Sequence, residues 1–325
     1  MNTRPETAPR DPSGTPPLSP LTVNVFPAGF VLPLWAAQAK GLFAANGLQV
    51  ELIPTPNSVA QMTGLLDGAF DIAMTAVDNV IAYVNGQGEA QTAAPPDIVA
   101  VMGSSNGFLS LMAASEVHGV TDFRGRTLAV DAMTTGYSFT LRRMLETAGL
   151  APGDYTLVPV GGMKERYQDL MRGGCAGTLL VPPFTVMAQA KGFREVATPV
   201  SLFSHFQGGV AAVRRDRAAS RGDDVTGFIR ANLAALAWLY DPANREEVLD
   251  LFQARMAGVP RAVAERSCAV LLHPVTGFTH DAVIDMEGVR TVIAVRAAFA
   301  EPRRALGNPE RYCDLSFHRR ALVAP

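Results

Sequence analysis

From residue 21 onward, short runs of β-branched and apolar residues alternate with segments whose apolar positions recur at helical spacing. That alternation is the mark of βα units that build mostly parallel sheets. Residues 21–26 read as a strand, and the loop Pro27-Ala28-Gly29-Phe30 leads into a helix with Pro33 in its first turn and Gly47 past its end. Trp35, Ala39, Leu42 and Phe43 form the expected buried stripe of that helix. Residues 50–53 are the next strand, Asn57 or Ser58 caps a helix that stops at Gly68, and a strand at 70–74 turns through Thr75 to Asp78 into a third helix. The plan then repeats. A strand at 127–130 meets the turn Thr134-Thr135-Gly136-Tyr137 and a helix with Leu141, Met144, Leu145 and Ala148 on one face, ended by Gly149. A strand at 155–160, a helix at 164–172, a strand at 178–181 and a helix after Pro182-Pro183 complete the second set.

Between the sets lie extended runs at 98–102 and 109–113, separated by the polar turn Gly103-Ser104-Ser105-Asn106-Gly107. Residues 208–213 form another extended run, and only helical patterns follow it. The spacing predicts an α/β protein of two lobes of similar construction. Residues 21–107 with 209–325 make the first, 108–208 the second, and the chain crosses between them near Phe108 and Gly208. Two crossings imply a hinge and a cleft.

Composition narrows what such a molecule does. Hydrophobic residues make up 48% of 325, and the charged share is 18%, against a usual value of about 25%. Lys plus Arg (28) nearly balance Asp plus Glu (30), for a formal charge of −2. No basic excess is present to displace counterions from a nucleic acid, which argues against a nucleic-acid partner. The longest apolar run, 233–240, is far short of the about 20 residues of a membrane-spanning helix, so the expectation is a soluble protein, read as a monomer. Residues 1–20 carry six prolines and read as a disordered leader with no apolar core of a secretory signal. On that reading the protein is cytoplasmic, or this chain lacks its export segment.

The motifs of several catalytic classes are missing. Residues 119–127 fail as a phosphate loop, Gly86-Gln87-Gly88 fails as a dinucleotide fingerprint, and the serines of 103–107 do not sit as in a nucleophile elbow. The three cysteines and five histidines show no metal-ligand spacing, so no catalytic residue, metal or cofactor is expected. His205 precedes the return crossing and either faces the cleft or is structural. Lys164-Glu165-Arg166 reads as a solvated helix face.

In an open α/β sheet, ligands bind outside the carboxyl ends of the strands. The residues there are Gly29, Phe30, Asn57, Thr75, Asp78, Asn79, Ser104, Asn106, Asp131, Thr134, Thr135, Gly136, Tyr137, Gly161, Pro183 and Phe184, the candidates for contact with one small molecule. Glycine permits close approach of backbone, hydroxyls and amides supply neutral hydrogen bonds, and Phe30, Tyr137 and Phe184 offer faces for a planar ring. For Asp78 and Asp131 both helix capping and ligand contact are open readings. The lack of Arg and Lys in these loops up to Met163 favours a neutral heterocycle or weakly hydrated anion over a phosphate compound.

Four stretches carry a family resemblance: Pro33-Leu34-Trp35-Ala36-Ala37-Gln38-Ala39-Lys40-Gly41-Leu42-Phe43, Gly68-Ala69-Phe70-Asp71-Ile72-Ala73, Asp122-Phe123-Arg124-Gly125-Arg126-Thr127-Leu128-Ala129-Val130, and the helix end at 145–150. In their order and spacing the chain resembles the SsuA/THI5-like (NMT1/THI5-like) substrate-binding proteins of ABC importers. The resemblance implies a type II periplasmic binding protein fold, a periplasmic address, a permease and ATPase as partners, and a sulfonate, nitrate, pyrimidine-precursor or small aromatic ligand. Enzymes of the same fold set the alternative, a cytoplasmic lyase or decarboxylase. Their cysteine-rich segment is absent here, and Pro27-Ala28-Gly29 stands where the related desulfinases carry a cysteine.

Overall fold

The computed structural model describes residues 17–90, 92 and 96–323. Most of the expected leader lies outside these residues, but its last four do not, and the final two are already strand: β1 (Ser19–Val25) begins at Ser19. Pro20 is tolerated inside a strand because β1 is flanked there by β2 (Leu48–Pro54) alone, with β3 (Ile72–Ala76) joining only from Val23. The rest of the first sheet is β4 (Ile98–Ser105) and β10 (Gly209–Arg214), in the order β2-β1-β3-β10-β4. β4 extends through Gly103 to Ser105, so the expected polar turn is mostly strand.

The second sheet holds β5 (Ser110–Ala113), β6 (Thr127–Val130), β7 (Thr156–Pro159), β8 (Gly177–Leu180) and β9 (Arg194–Ala197) in the order β7-β6-β8-β5-β9. The two sheets have one design: in each, a single strand runs against the other four, β10 in the first and β5 in the second. Each reversed strand carries the chain in from the other lobe. The crossings lie side by side. Gly208 N–H donates to Ser105 O at 3.0 Å, and a Cβ on Gly208 would stand 2.5 Å from Gly107 Cα, so only glycine permits the approach.

Helices cover the first sheet: α1 (Leu32–Ala39), α2 (Leu42–Ala45), α3 (Ser58–Leu66) and α4 (Val77–Val84). α5 (Gly136–Thr147), α6 (Met163–Met171) and α7 (Phe184–Gln189) belong to the second. The chain ends in α8 (Arg215–Ser220), α9 (Gly222–Tyr240), α10 (Arg245–Arg255), α11 (Arg261–Leu271), α12 (Met286–Phe299) and α13 (Ser316–Leu322). The stripe of α1 differs from expectation: Ala39 is exposed, and Leu32, Leu34, Ala36 and Ala37 are buried with Trp35. The helix is covered on most of its circumference because α9 and α10 pack over it. α12 reaches across to the other lobe, where Phe299 stacks on Phe139 of α5 at 6.2 Å between centroids. Among the described residues no helix is long and apolar enough to cross a membrane.

Candidate functional site

The carboxyl ends of β1, β3, β4, β6 and β8 and the starts of β10, α3, α5 and α6 converge between the two sheets. They enclose a cleft of about 800 Å³ of non-atom space, its open mouth included. Its walls are largely apolar: Phe26, Phe30, Met74, Phe108, Met163, Val181 and Val210. Such a lining takes a flat or weakly hydrated molecule and leaves a few polar groups to orient it.

The first lobe supplies Thr75, Asn79, Ser104 and Ser105. Asn79 Nδ2 donates to Thr75 Oγ1 at 2.8 Å, which fixes the amide and leaves its oxygen and the threonine proton for a bound molecule. α3 is seated from below by a buried amide pair: Gln61 Nε2 donates to Asn24 Oδ1 (3.0 Å) and Met74 O (3.1 Å), and Asn24 Nδ2 donates to Ile53 O (3.0 Å). That seat brings Ser58, in the first turn of α3, to the second lobe, where its Oγ donates to Asp131 Oδ2 at 2.6 Å.

From the second lobe come Asp131, Thr135, Gly136, Tyr137, Gly162, Met163 and Arg166. The Tyr137 hydroxyl has no hydrogen-bond partner among the described residues, and burial pushes its pKa up to about 12, with Arg166 pulling down and Asp78 pushing up. It is therefore a neutral donor and acceptor at any ordinary pH. Arg166 is 3% exposed. Its Nε donates to Gly161 O (3.0 Å) and its Nη1 to Leu179 O (2.6 Å). Burial holds its pKa below the usual arginine value while the charge of Asp131 opposes that shift.

The structure brings Phe30, Thr75, Asn79, Ser104, Asp131, Thr135, Gly136 and Tyr137 to the cleft. The other candidates are placed elsewhere, each for a physical reason. Gly29 closes on the second lobe, its N–H donating to Pro182 O at 3.1 Å. Asn57 caps α3 by accepting from Ala60 N–H at 2.8 Å. Asp78 is 3% exposed and held bidentately by Arg296. Asn106 lies at the crossing with its Oδ1 buried and without a partner among the described residues. Thr134 is taken by Glu89, to which its N–H (3.1 Å) and Oγ1 (2.5 Å) both donate. Gly161, at φ 106, lends its carbonyl to Arg166. Pro183 and Phe184 open α7 outside the cleft lining, and Phe184 packs on Tyr167 at 5.4 Å. The Thr135 hydroxyl donates back to Ala132 O at 3.1 Å, so part of its role is to shape the loop.

One expectation fails on helical phase, and the choice left open for His205 goes against the cleft. Arg166 is no solvated residue: it shares the inward face of α6 with Asp169 and Leu170. His205 is exposed, its Nδ1 3.0 Å from Asp285 Oδ2, and does not line the cleft. None of the cleft-lining residues is a cysteine or histidine. Cys175, Cys268 and Cys313 are all buried, and burial pushes each thiol up to about 12, an upward push that Asp169 reinforces at Cys175. Iodoacetamide at about pH 8 is therefore expected to leave the native chain unlabelled while all three thiols react in urea. Rapid labelling of the native protein, read by mass spectrometry, would show an accessible thiolate.

Solved structures share this architecture. The ligand-binding component of an ABC-type import system from Staphylococcus aureus, with zinc bound, superposes with a TM-score of 0.75 at 14% identity, over 93% of this chain and 98% of that one. The alkanesulfonate-binding protein SsuA from Xanthomonas axonopodis pv. citri, bound to MOPS, gives 0.71 at 18% identity over 91% and 96%. The desulfurization enzyme DSZB gives 0.62 at 16% identity over 94% and 99%. No curated protein matches the chain. The two-lobed α/β fold implied by the sequence resemblance is thus the observed one, and with the NMT1-like family model matching residues 14–253, well over half the chain, this protein belongs to the NMT1-like family.

Proposed function

We propose that the chain is the solute-binding component of an importer: it captures one small organic or weakly anionic molecule in the interlobe cleft and releases it unchanged. The observation that carries this reading is the cleft itself, apolar in its walls and provided by both lobes with polar groups whose hydrogen-bonding capacity is unspent. Residues 21–107 with 209–325 would form one lobe and 108–208 the other, rotating about the paired crossings as in other cleft binders. The site is then Phe30, Thr75, Asn79, Ser104, Asp131, Thr135, Gly136 and Tyr137 with Ser58 and Arg166 added. Family context supports a periplasmic address and a permease and ATPase as partners.

A thermal-shift screen of sulfonates, nitrate, pyrimidines and small aromatic acids tests the proposal. A ligand at about 100 times its Kd adds about 2.7 kcal/mol to native stability by mass action. The expected result is a raised melting temperature with at least one compound, which mass spectrometry then recovers unchanged. Closure predicts a smaller radius of gyration by X-ray scattering on saturation. Stoichiometric conversion of the bound compound would overturn the reading in favour of an enzyme on the fold that DSZB shares. A screen without a single hit would overturn it outright.

A further inference from the structure

We propose that the cleft selects a ligand with no net charge that presents a hydrogen-bond donor beside an acceptor, as a primary amide, ureide or amino-substituted azine does, read by Asp131 and Arg166. This deepens the reading of the chain as a cleft binder and rests on it.

The two side chains both line the cleft from the second lobe, near enough for the charge of Asp131 to act on Arg166, and each has spare capacity of one kind only. Asp131 Oδ2 receives the Ser58 hydroxyl at 2.6 Å, but Oδ1 is shut off from solvent and receives no hydrogen bond from the described residues. A buried carboxylate oxygen in that condition is unfavourable until a donor arrives, and an ionised carboxylate only accepts. Arg166 is the converse. Two of its nitrogens are committed to backbone carbonyls, while Nη2 meets only Met163 Sδ at 3.1 Å, a weak acceptor. No carboxylate lies within ion-pairing distance of it among the described residues, so the guanidinium keeps N–H groups that only donate.

A site with one unspent acceptor and one unspent donor is matched by a group that offers both. The charges also settle the sign of the ligand. Asp131 and Arg166 cancel, so an incoming molecule need bring none, and Phe26, Phe30, Met74 and Phe108 favour one that sheds water easily. A nitrate or sulfonate is an acceptor alone. It would satisfy Arg166 but set its negative charge against the buried Asp131 oxygen, a mismatch that selects against it.

Isothermal titration calorimetry on the full chain decides this, with benzamide, nicotinamide and cytosine as one set and nitrate, methanesulfonate and benzenesulfonate as the other. At least one neutral compound is expected to bind at least about tenfold tighter than benzenesulfonate, the worth of one well-made hydrogen bond to a charged group. Asp131→Asn keeps the shape and can still accept from Ser58. It is expected to weaken the neutral compound about tenfold and to strengthen benzenesulfonate, with its melting temperature confirming the fold. Arg166→Lys, which retains the charge and loses the planar fork, should weaken the same compound. Tighter binding of benzenesulfonate or nitrate by the wild type would overturn the proposal and leave solute capture standing. An unchanged affinity of folded Asp131→Asn for the neutral compound would also overturn it. Failure of both sets overturns it too, and the wider thermal-shift screen then shows whether solute capture falls with it.

Discussion

Replacing Arg296 by methionine is expected to cost about 3–5 kcal/mol of stability, because it strands a buried carboxylate. Arg296 is 1% exposed, and its partner Asp78 is 3% exposed. Nε meets Asp78 Oδ1 at 2.7 Å and Nη2 meets Oδ2 at 2.6 Å, the parallel fork that makes such pairs both strong and specific in geometry. The same guanidinium reaches the second lobe: Nη2 donates to Thr134 O at 2.9 Å, and its carbon lies 5.0 Å from the centre of the Phe139 ring. Loss of Arg296 therefore damages the first lobe and unfastens it from the second. Urea denaturation followed by circular dichroism measures the loss. Asp78→Leu with Arg296→Met in one chain should recover most of it, since removing both charges is far cheaper than removing one. A single-variant loss below about 1 kcal/mol would mean that the pair is accessible to water and not structural.

This pair also shows where sequence reading stops. Asp78 follows a strand and opens a helix, the local pattern of a cap or a ligand contact, and nothing near it in the chain names its partner 218 residues away. Strand and helix alternation, by contrast, is written locally, so the two sheets and the helical ending are legible from apolar spacing. Residues at strand ends are legible as a group, but not which of them face the cleft. Thr134 and Thr135 are neighbours of one type in one turn; Glu89 claims the first and the second stays at the cleft wall. Arg166 is legible in its spacing but disguised by its neighbours. Lys164 and Glu165 beside it look like a solvated run, yet Arg166 sits three residues after Met163 and four before Leu170, the spacing of a single buried face. β9, by contrast, has exposed charges over its first half and no apolar run to mark it.

Gly136→Ala should impair both stability and binding, because this residue lines the cleft and packs against Asp78 with no room for a side chain. A Cβ on Gly136 would lie 2.3 Å from Asp78 Cβ, 2.4 Å from Cγ and 2.7 Å from Oδ2, separations that no real methyl tolerates. Asp78 cannot turn aside without breaking its fork to Arg296, and Gly136 is fixed as the first residue of α5. The strain is relieved only by prising the lobes apart at the base of the cleft. Forcing a methyl into such a packed contact costs about 1–3 kcal/mol, which corresponds to roughly a 5- to 150-fold loss of affinity if it opposes closure alone. The expected outcome is a larger radius of gyration in the presence of ligand than wild type shows, with weaker binding and a modestly lower melting temperature. Thr135→Val is the comparison, since it adds no atom against Asp78 and removes only the hydroxyl that donates to Ala132 O. It should cost no more than about 1 kcal/mol in stability and leave the closed dimensions unchanged. If Gly136→Ala binds and closes as wild type does, the approach of Asp78 to α5 does not govern how the lobes meet.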